Sequence, residues 1–112
     1  MEKVEQYKIY ILEFLEKYVS VKAVGYEMLD SQIIADEKRH HYQLVEVGWA
    51  GIEYVHHSIF HFDIKNEKIW IQLNNTDVSI TKYLLEKGVP KSDIVIGLTP
   101  EYLREETGFA VV

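Results

Sequence analysis

Alternating apolar and polar residues fill most of the chain between positions 32 and 74, and this pattern restricts the fold more than any other feature. A period of two puts alternate side chains on opposite faces of a β-strand. Short polar or glycine-containing segments interrupt the alternation, so consecutive strands are expected to pair antiparallel. The pattern predicts four strands: Gln32–Asp36, His41–Trp49, Ile52–Ile64 and Lys68–Asn74.

Two short connections set the expected register of these strands. Ala50-Gly51 fits a two-residue hairpin turn, because glycine takes a positive φ at little energetic cost. Asn66-Glu67 fits a second turn, although a positive φ at Glu67 would be strained by roughly a few tenths to one kcal/mol. With both turns two residues long, one face pairs Phe60 with Leu73, Phe62 with Ile71 and Ile64 with Ile69. The other face then carries Tyr42, Leu44, His57, Ile59, His61, Asp63, Trp70 and Gln72.

An amphipathic helix is predicted over residues 2–19. Its apolar residues fall three or four positions apart, which stacks them on one side: Val4, Tyr7, Ile11, Phe14, Leu15 and Tyr18. Further apolar residues lie outside that stripe, at Ile9, Tyr10 and Leu12. The wide apolar surface indicates either contact with both the sheet and a partner, or a broad core face with exposed tyrosines.

The C-terminal third contains signals for two more helices. Asp77–Lys87 is the first, with Thr76 or Asp77 as its N-cap and Gly88 in the left-handed conformation after its end. Thr99-Pro100 predicts an N-cap followed by proline at the first helical position, which starts a short helix that reaches Arg104.

The segments that flank this last helix are apolar. Ile94–Leu98 is a short strand or a turn packed on the core, and the tail Thr107–Val112 is expected to dock as an edge strand or at a subunit contact. All these patterns predict one α+β domain over residues 1–112. It would have an antiparallel sheet of about four strands, an N-terminal helix, a second helix after the sheet and a short C-terminal helix.

The charge balance and the lack of cysteine exclude several classes of function. Twelve Lys and Arg against eighteen Asp and Glu give a formal net charge of −6, so direct DNA binding is not expected of the isolated protein. A chain without cysteine has no disulfide, thiolate zinc site or cysteine nucleophile. The longest uncharged run, Tyr54–Phe62, is far shorter than the ~20 residues that cross a bilayer, and the N-terminus lacks an apolar signal core. We therefore expect a cytoplasmic protein without a membrane contact.

All five histidines fall between His40 and His61, which raises the question of a metal site. In the register above, His40, His57, His61 and Asp63 would share the polar face, and imidazole with carboxylate suits zinc or non-haem iron. On an extended strand, however, His57 would lie about 13 Å from His61, too far for both to bind one ion. His61 and Asp63 could act together, which leaves a small metal-dependent hydrolase as an alternative function. Because the chain has no nucleophile elbow, glycine-rich phosphate loop or His-Glu-x-x-His motif, we assign no catalytic residue, metal or other cofactor.

Several sequence stretches are specific in combination, although no single one of them would be. They are Glu5-Gln6-Tyr7, His41–Val45 with Val47–Trp49, Ile59–Ile64 with Lys68–Gln72, Gly88–Gly97, and an ending with Pro100, Arg104 and Thr107–Val111. The combination covers nearly the whole chain and resembles the XisI family, the fdxN element excision controlling factors of cyanobacteria. The resemblance implies an α+β fold and an accessory role in the programmed excision of a DNA element, alongside a recombinase. It also implies a companion, XisH, encoded next to it and resembling endonuclease-fold proteins.

Together these observations favour a binding module over an enzyme. We expect it to form a homo-oligomer, a dimer or higher, and to bind an XisH-like protein, so that it acts on DNA indirectly. An acidic protein could restrain a basic nuclease much as an antitoxin does, with opposite charges speeding encounter. Trp and Tyr suit protein contacts because they combine an apolar body with a polar tip. The candidate interaction surface consists of His41, Tyr42, Trp49, His61, Asp63, Trp70, Gln72, Arg104 and Phe109.

Overall fold

The computed structural model describes residues 2–21 and 27–112, which form an α+β fold around a five-stranded sheet. The elements before the second helix are α1 (Lys3–Tyr18), β1 (Asp30–Asp36), β2 (His41–Ala50), β3 (Glu53–Lys65) and β4 (Lys68–Asn74). Those after it begin with α2 itself (Ile80–Glu86), then a 3₁₀ helix at Lys91–Asp93, β5 (Ile94–Ile96) and a second 3₁₀ helix at Glu101–Thr107. No helix within these two ranges is long and apolar enough to span a membrane.

The strands lie in the sheet in the order in which they occur in the chain. Neighbours pair antiparallel, except that β4 and β5 pair parallel and are joined through α2. The predicted α+β class, with helices flanking a mainly antiparallel sheet, is therefore confirmed. The described strands number five rather than about four, because Ile94–Ile96 joins the sheet as a strand.

Helix α1 packs across one face of the sheet, which we call the helix-facing side. Its buried residues all belong to the predicted stripe: Tyr7, Ile11, Phe14 and Leu15. The strands contribute Tyr42, Leu44, Phe60, Phe62, Ile64, Ile69, Ile71 and Ile94 to the same core. The Phe14 ring lies among four other aromatic rings at centroid distances of 4.8 to 5.6 Å, those of Tyr18, Phe60, Phe62 and Tyr83.

The wide apolar surface of α1 is largely used within the chain itself. Tyr10, Leu12 and Tyr18 are partly buried and pack against the core. The hydroxyl of Tyr83, on α2, donates a hydrogen bond to the Tyr10 carbonyl at 3.0 Å. These contacts fit the broad core face of the second predicted alternative, although its tyrosines are partly buried rather than exposed. Contact of α1 with a partner stays a prediction.

Ile59 is an extra residue in β3, a β-bulge that shifts the pairing with β2 between Leu44 and Val45. Because side chains alternate with a period of two, one extra residue exchanges the faces of everything beyond it. Tyr42 and Leu44 are therefore buried on the helix-facing side, and the prediction that they lie on the polar face is wrong. The same prediction is wrong for Ile59, which packs against this core, and for His57.

The two hairpin turns agree with prediction to different degrees. Asn66-Glu67 forms the predicted turn, and its two residues have φ values of +55° and +59°. The first turn is Gly51-Ile52 rather than Ala50-Gly51, since Ala50 still pairs with Glu53. This displacement moves the pairing by two residues, so it leaves the two faces unchanged.

A second bulge interrupts the pairing of β3 with β4 beside His61. Phe60 consequently pairs with Asn74, and its predicted pairing with Leu73 is wrong. The predicted pairs nearer the turn are confirmed. Gln72 is the β4 residue that has no partner in β3, so its side chain can turn toward a neighbouring side chain.

Helix α2 begins later than predicted. Thr76 is engaged in the preceding turn, where its backbone N–H and its hydroxyl donate to Asn74 Oδ1 at 3.0 and 2.7 Å. Ser79 is the N-cap instead and accepts a hydrogen bond from the helix's third residue at 3.3 Å, so the expected cap at Thr76 or Asp77 is wrong. Gly88 follows the helix with a φ of +95°, as predicted.

The C-terminal segment docks on the edge of the sheet. Pro100 is the N-cap of the second 3₁₀ helix, whereas Thr99 was the predicted cap. Ala110 forms a parallel bridge with Val95, and its N–H donates to the Ile94 carbonyl at 2.9 Å. The tail thus docks on the edge strand β5 through a single bridge and does not itself form an edge strand as expected. The other expected arrangement, a subunit contact, stays a prediction.

Candidate functional site

The side of the sheet opposite α1, which we call the open face, carries a polar cluster centred on Asp63 of β3. Asp63 Oδ1 lies 2.8 Å from Nδ1 of His41 on β2 and 2.9 Å from Nε2 of His61 on β3. Asp63 Oδ2 accepts a hydrogen bond from Nε2 of Gln72 on β4 at 3.1 Å. We call these four residues the Asp63 cluster.

Strand register brings the cluster together. His41 and Asp63 pair directly across β2 and β3. His61 lies two residues before Asp63 on the same strand, so both side chains point to the open face. Gln72, the bulge residue of β4, turns its amide toward the same carboxylate. Three neighbouring strands thus bring the other three side chains within hydrogen-bonding distance of the Asp63 carboxylate.

The histidines that were expected beside His61 lie elsewhere. His40 has a φ of +61° in the turn before β2, and its Nδ1 is 2.9 Å from the hydroxyl of the buried Tyr42. His57 pairs with Glu46, and its Nε2 lies 3.7 Å from Glu46 Oε1 on the side away from the Asp63 cluster. The Ile59 bulge explains both positions, because it puts His41 instead of His40 on the open face and places His57 on the opposite side.

The Asp63 cluster is partly open to solvent. The exposed fractions of the side chains are 17% for Asp63, 31% for His61 and 55% for His41. Burial alone acts to raise the pKa of Asp63, but hydrogen bonds from His41, His61 and Gln72 outweigh it and hold that pKa below its usual value. Asp63 is therefore a fixed negative charge at neutral pH, surrounded by donors.

The donor set of the cluster suits a metal ion. Within the described ranges, His41, His61 and Asp63 each offer one ligand atom, and these atoms lie within 4.8 Å of one another. Two imidazoles and one carboxylate are typical ligands of zinc and of non-haem iron. The sequence argument against a metal considered His57, and the structure replaces it with His41.

The other residues of the predicted surface lie apart from the Asp63 cluster or inside the protein. Tyr42 is fully buried on the helix-facing side. Trp70 is only 6% exposed, because Lys65 Nζ lies 4.2 Å and Arg104 Cζ 5.2 Å from its ring centroid. Arg104 also donates to two backbone carbonyls, at 2.9 and 3.1 Å, and so fastens the C-terminal segment. Phe109 is partly buried and packs against the core.

Trp49 belongs to an exposed apolar group at the end of the first hairpin. Trp49 is 59% exposed, Tyr54 is 54% exposed, and their ring centroids are 5.2 Å apart. Ile52, in the turn, is fully exposed. We call these three residues the hairpin tip. Sequence reasoning included Trp49 but missed the other two, although an isoleucine beside the turn glycine was a signal of exposed apolar surface.

The whole chain can be compared with known proteins. A family model described as XisI protein matches residues 1–111. The chain belongs to the XisI family. The resemblance seen in the sequence is thereby confirmed. A search of curated proteins gave no significant match.

Two solved structures are similar to this XisI family member over nearly their full length. A XisI-like protein from Anabaena variabilis ATCC 29413 is 37% identical, with 97% of this chain and 99% of that chain covered and a TM-score of 0.89. The fdxN element excision controlling factor XisI from Anabaena variabilis ATCC 29413 is 32% identical, with 99% and 100% covered and a TM-score of 0.85. The α+β fold is thus shared with XisI proteins from a cyanobacterium.

Proposed function

We propose that this protein is an accessory regulator of programmed DNA excision and that it acts through a protein partner. The observation that carries the proposal is the match to the fdxN element excision controlling factor, at 32% identity and a TM-score of 0.85 over essentially the whole chain. That protein is described as controlling the excision of a DNA element. A relative with the same fold at this identity is a sound basis for proposing the same kind of role.

The charge of the protein favours an indirect action on DNA. A net charge of −6 opposes the phosphate backbone, whose neutralisation by cations drives non-specific binding. A basic, DNA-contacting partner would be attracted by the same charge, and opposite charges speed association. We propose an XisH-like protein, encoded beside the XisI gene, as this partner, and we place both proteins in the cytoplasm with the chromosome.

The hairpin tip is the surface that we propose for the partner contact. Trp49, Ile52 and Tyr54 are all exposed at the end of a long hairpin, and the Trp49 and Tyr54 rings contact each other. Exposed aromatic residues of this kind dominate the binding energy at many interfaces. The expected self-association into a dimer or larger oligomer is part of the same proposal, and the solution mass measures it.

The test is co-expression of the tagged protein with its XisH-like neighbour, followed by purification and a measurement of binding affinity. We expect a stoichiometric complex that Trp49→Ala weakens at least about tenfold, as loss of a central aromatic anchor does. Tyr102→Ala is the matched control, because Tyr102 is an aromatic residue that is 81% exposed on the second 3₁₀ helix, far along the chain. It is expected to leave the affinity unchanged.

Two results would overturn the proposal. The first is the failure of the two proteins to co-purify, together with unchanged solubility and activity of the neighbour. The second is tight binding of the isolated protein to duplex DNA with a steep salt dependence, which would assign the DNA contact to this chain itself. A complex that forms but is insensitive to Trp49→Ala would contradict the hairpin tip as the contact surface.

A further inference from the structure

We propose that the Asp63 cluster binds one Zn²⁺ ion through Nδ1 of His41, Nε2 of His61 and Oδ1 of Asp63. These three atoms already lie within 4.8 Å of one another on the open face. They come from one strand and its direct neighbour, so their separation is set by sheet geometry rather than by a loop. The inference is independent of the proposed role in DNA excision.

The two distances from Asp63 Oδ1 to the imidazole nitrogens need only a small change to accept the ion. Asp63 Oδ1 is 2.8 Å from the His41 nitrogen and 2.9 Å from the His61 nitrogen. In a tetrahedral zinc site with bonds of about 2.0 Å, neighbouring ligand atoms are about 3.3 Å apart. Each imidazole nitrogen must therefore move away from Asp63 Oδ1 by a few tenths of an ångström. The two nitrogens, which lie within 4.8 Å of each other, must come to about the same 3.3 Å separation. The His41 side chain is 55% exposed, so much of its surface borders solvent rather than packed protein.

Binding replaces two hydrogen-bond protons by the ion. In the hydrogen-bonded cluster, each ring nitrogen that faces the ionised Asp63 carries a proton. A zinc ligand must present a lone pair, so each imidazole either transfers its proton to its other ring nitrogen or releases it to solvent. The carboxylate keeps its charge, and solvent can supply the remaining ligand because the cluster is open on its outer side.

Gln72 orients the carboxylate for this role. Its amide donates to Asp63 Oδ2, which directs Oδ1 toward the two imidazoles. Gly97 makes room for the amide, since a Cβ there would lie 2.4 Å from Gln72 Oε1. Outer partners that fix a ligand in this way typically change metal affinity by about 10- to 100-fold when they are removed.

The test is a calorimetric titration of the tag-free protein with ZnCl₂, followed by metal analysis after dialysis. We expect one Zn²⁺ per chain. His41→Gln and His61→Gln should each weaken binding by more than about 100-fold, and Gln72→Leu by about tenfold. His57→Gln is the matched control, since His57 is also a strand histidine beside a carboxylate but is not part of the three-ligand group found among the described residues. It should bind zinc like the parent protein.

An observation on the unaltered protein guards against variants that do not fold. In an NMR spectrum of the imidazole nitrogens, Zn²⁺ should shift the signals of His41 and His61 and leave those of His57 in place. The inference is wrong if the parent protein takes up no zinc, if the shifts fall on other histidines, or if His57→Gln weakens binding as much as His41→Gln does.

Discussion

The two sides of the sheet are built from the same strands but are held by different interactions. The helix-facing side is a continuous apolar layer, in which the Phe14 ring contacts four other aromatic rings. The open face instead carries the Asp63 cluster and a small covered region, where Arg104 lies over Trp70. The first side is stabilised by burial, and the second by hydrogen bonds and cation–π contacts.

This difference shows how one sheet can provide stability on one face and solvent-accessible polar groups on the other. Apolar burial is not directional, so it does not orient particular polar atoms. It does require a closely packed core without gaps. The hydrogen bonds of the open face orient particular ring nitrogens and carboxylate oxygens while leaving them reachable from solvent. A protein that must remain folded while presenting polar groups gains from keeping the two tasks on opposite faces.

The largest expected effect comes from breaking the helix-facing side. Phe14→Ala leaves a cavity among the surrounding rings, because Phe14 is only 1% exposed. We expect the free energy of unfolding to fall by about 3–5 kcal/mol in a urea titration. Tyr102→Ala, which truncates a largely exposed ring, should change it by less than about 0.5 kcal/mol. Equal losses in the two variants would remove the contrast between core and surface.

A smaller effect is expected from the covered region of the open face. Arg104→Ala removes hydrogen bonds to the carbonyls of Thr99 and Val111 and uncovers Trp70. The free energy of unfolding should fall by about 1–3 kcal/mol, and tryptophan emission should shift to longer wavelength. Arg104→Lys retains the charge but not the planar group, so its loss should be intermediate. An unchanged stability in Arg104→Ala would mean that the C-terminal segment is held by other contacts.

The third prediction concerns the buried phenol of the helix-facing side. Burial raises the pKa of Tyr42 to about 12, against about 10 in the unfolded chain. Below about pH 10 the phenol is protonated in both states and stability is unaffected; above it the unfolded chain ionises first, so stability falls until the folded pKa is passed. At pH 11 the loss from this group should be roughly 1 kcal/mol.

Tyr42→Phe isolates this contribution. The pKa of Tyr7 is also raised, by burial and by its hydrogen bond to Asp93, so both proteins will lose stability in alkali. Urea titrations between about pH 9.5 and 11 should show a shallower decline in the variant than in the parent protein. Parallel declines would indicate that the Tyr42 phenol ionises as easily in the folded state as in the unfolded one.

The smallest expected effect is a stabilisation at the Asn66-Glu67 turn, which connects β3 and β4 and sets their register. Glu67 has a φ of +59°, which strains a residue with a side chain. Glu67→Gly should raise the free energy of unfolding by a few tenths of a kcal/mol, because relief of strain exceeds the extra entropy of the unfolded chain. Glu53→Gly, within β3, is the control and should lower it by about 0.5–1 kcal/mol. A loss of stability in both variants would contradict strain at Glu67.

Sequence reasoning was most successful where side-chain periodicity decides the structure. The stripe of α1 and the β3–β4 pairs near Asn66-Glu67 follow from spacing alone, and the structure contains them. The Ile59 bulge could not be derived in the same way, because an extra residue changes the register without changing the composition of the strand. Adjacent Ile59 and Phe60 are a visible break in the alternation, but such a break also fits a strand that is buried on both faces.

The Asp63 cluster was only half predictable for the same reason. His61 and Asp63 lie on one strand, so their proximity follows from a period of two. The position of His41 beside Asp63 depends on the Ile59 bulge, and that of Gln72 depends on the second bulge, beside His61. The late start of α2 has a different cause: Thr76 and Ser79 are both good caps, and the choice depends on a side-chain bond to Asn74.

Docking of the tail at Ala110 has a consequence for the behaviour of the protein at high concentration. The outermost strand of a sheet can template the addition of strands from other molecules, which leads to fibrous aggregates. Here β5 is three residues long, and Ala110 already occupies a backbone acceptor on its outer side. Growth by strand addition is thus obstructed at this margin by the chain's own terminus.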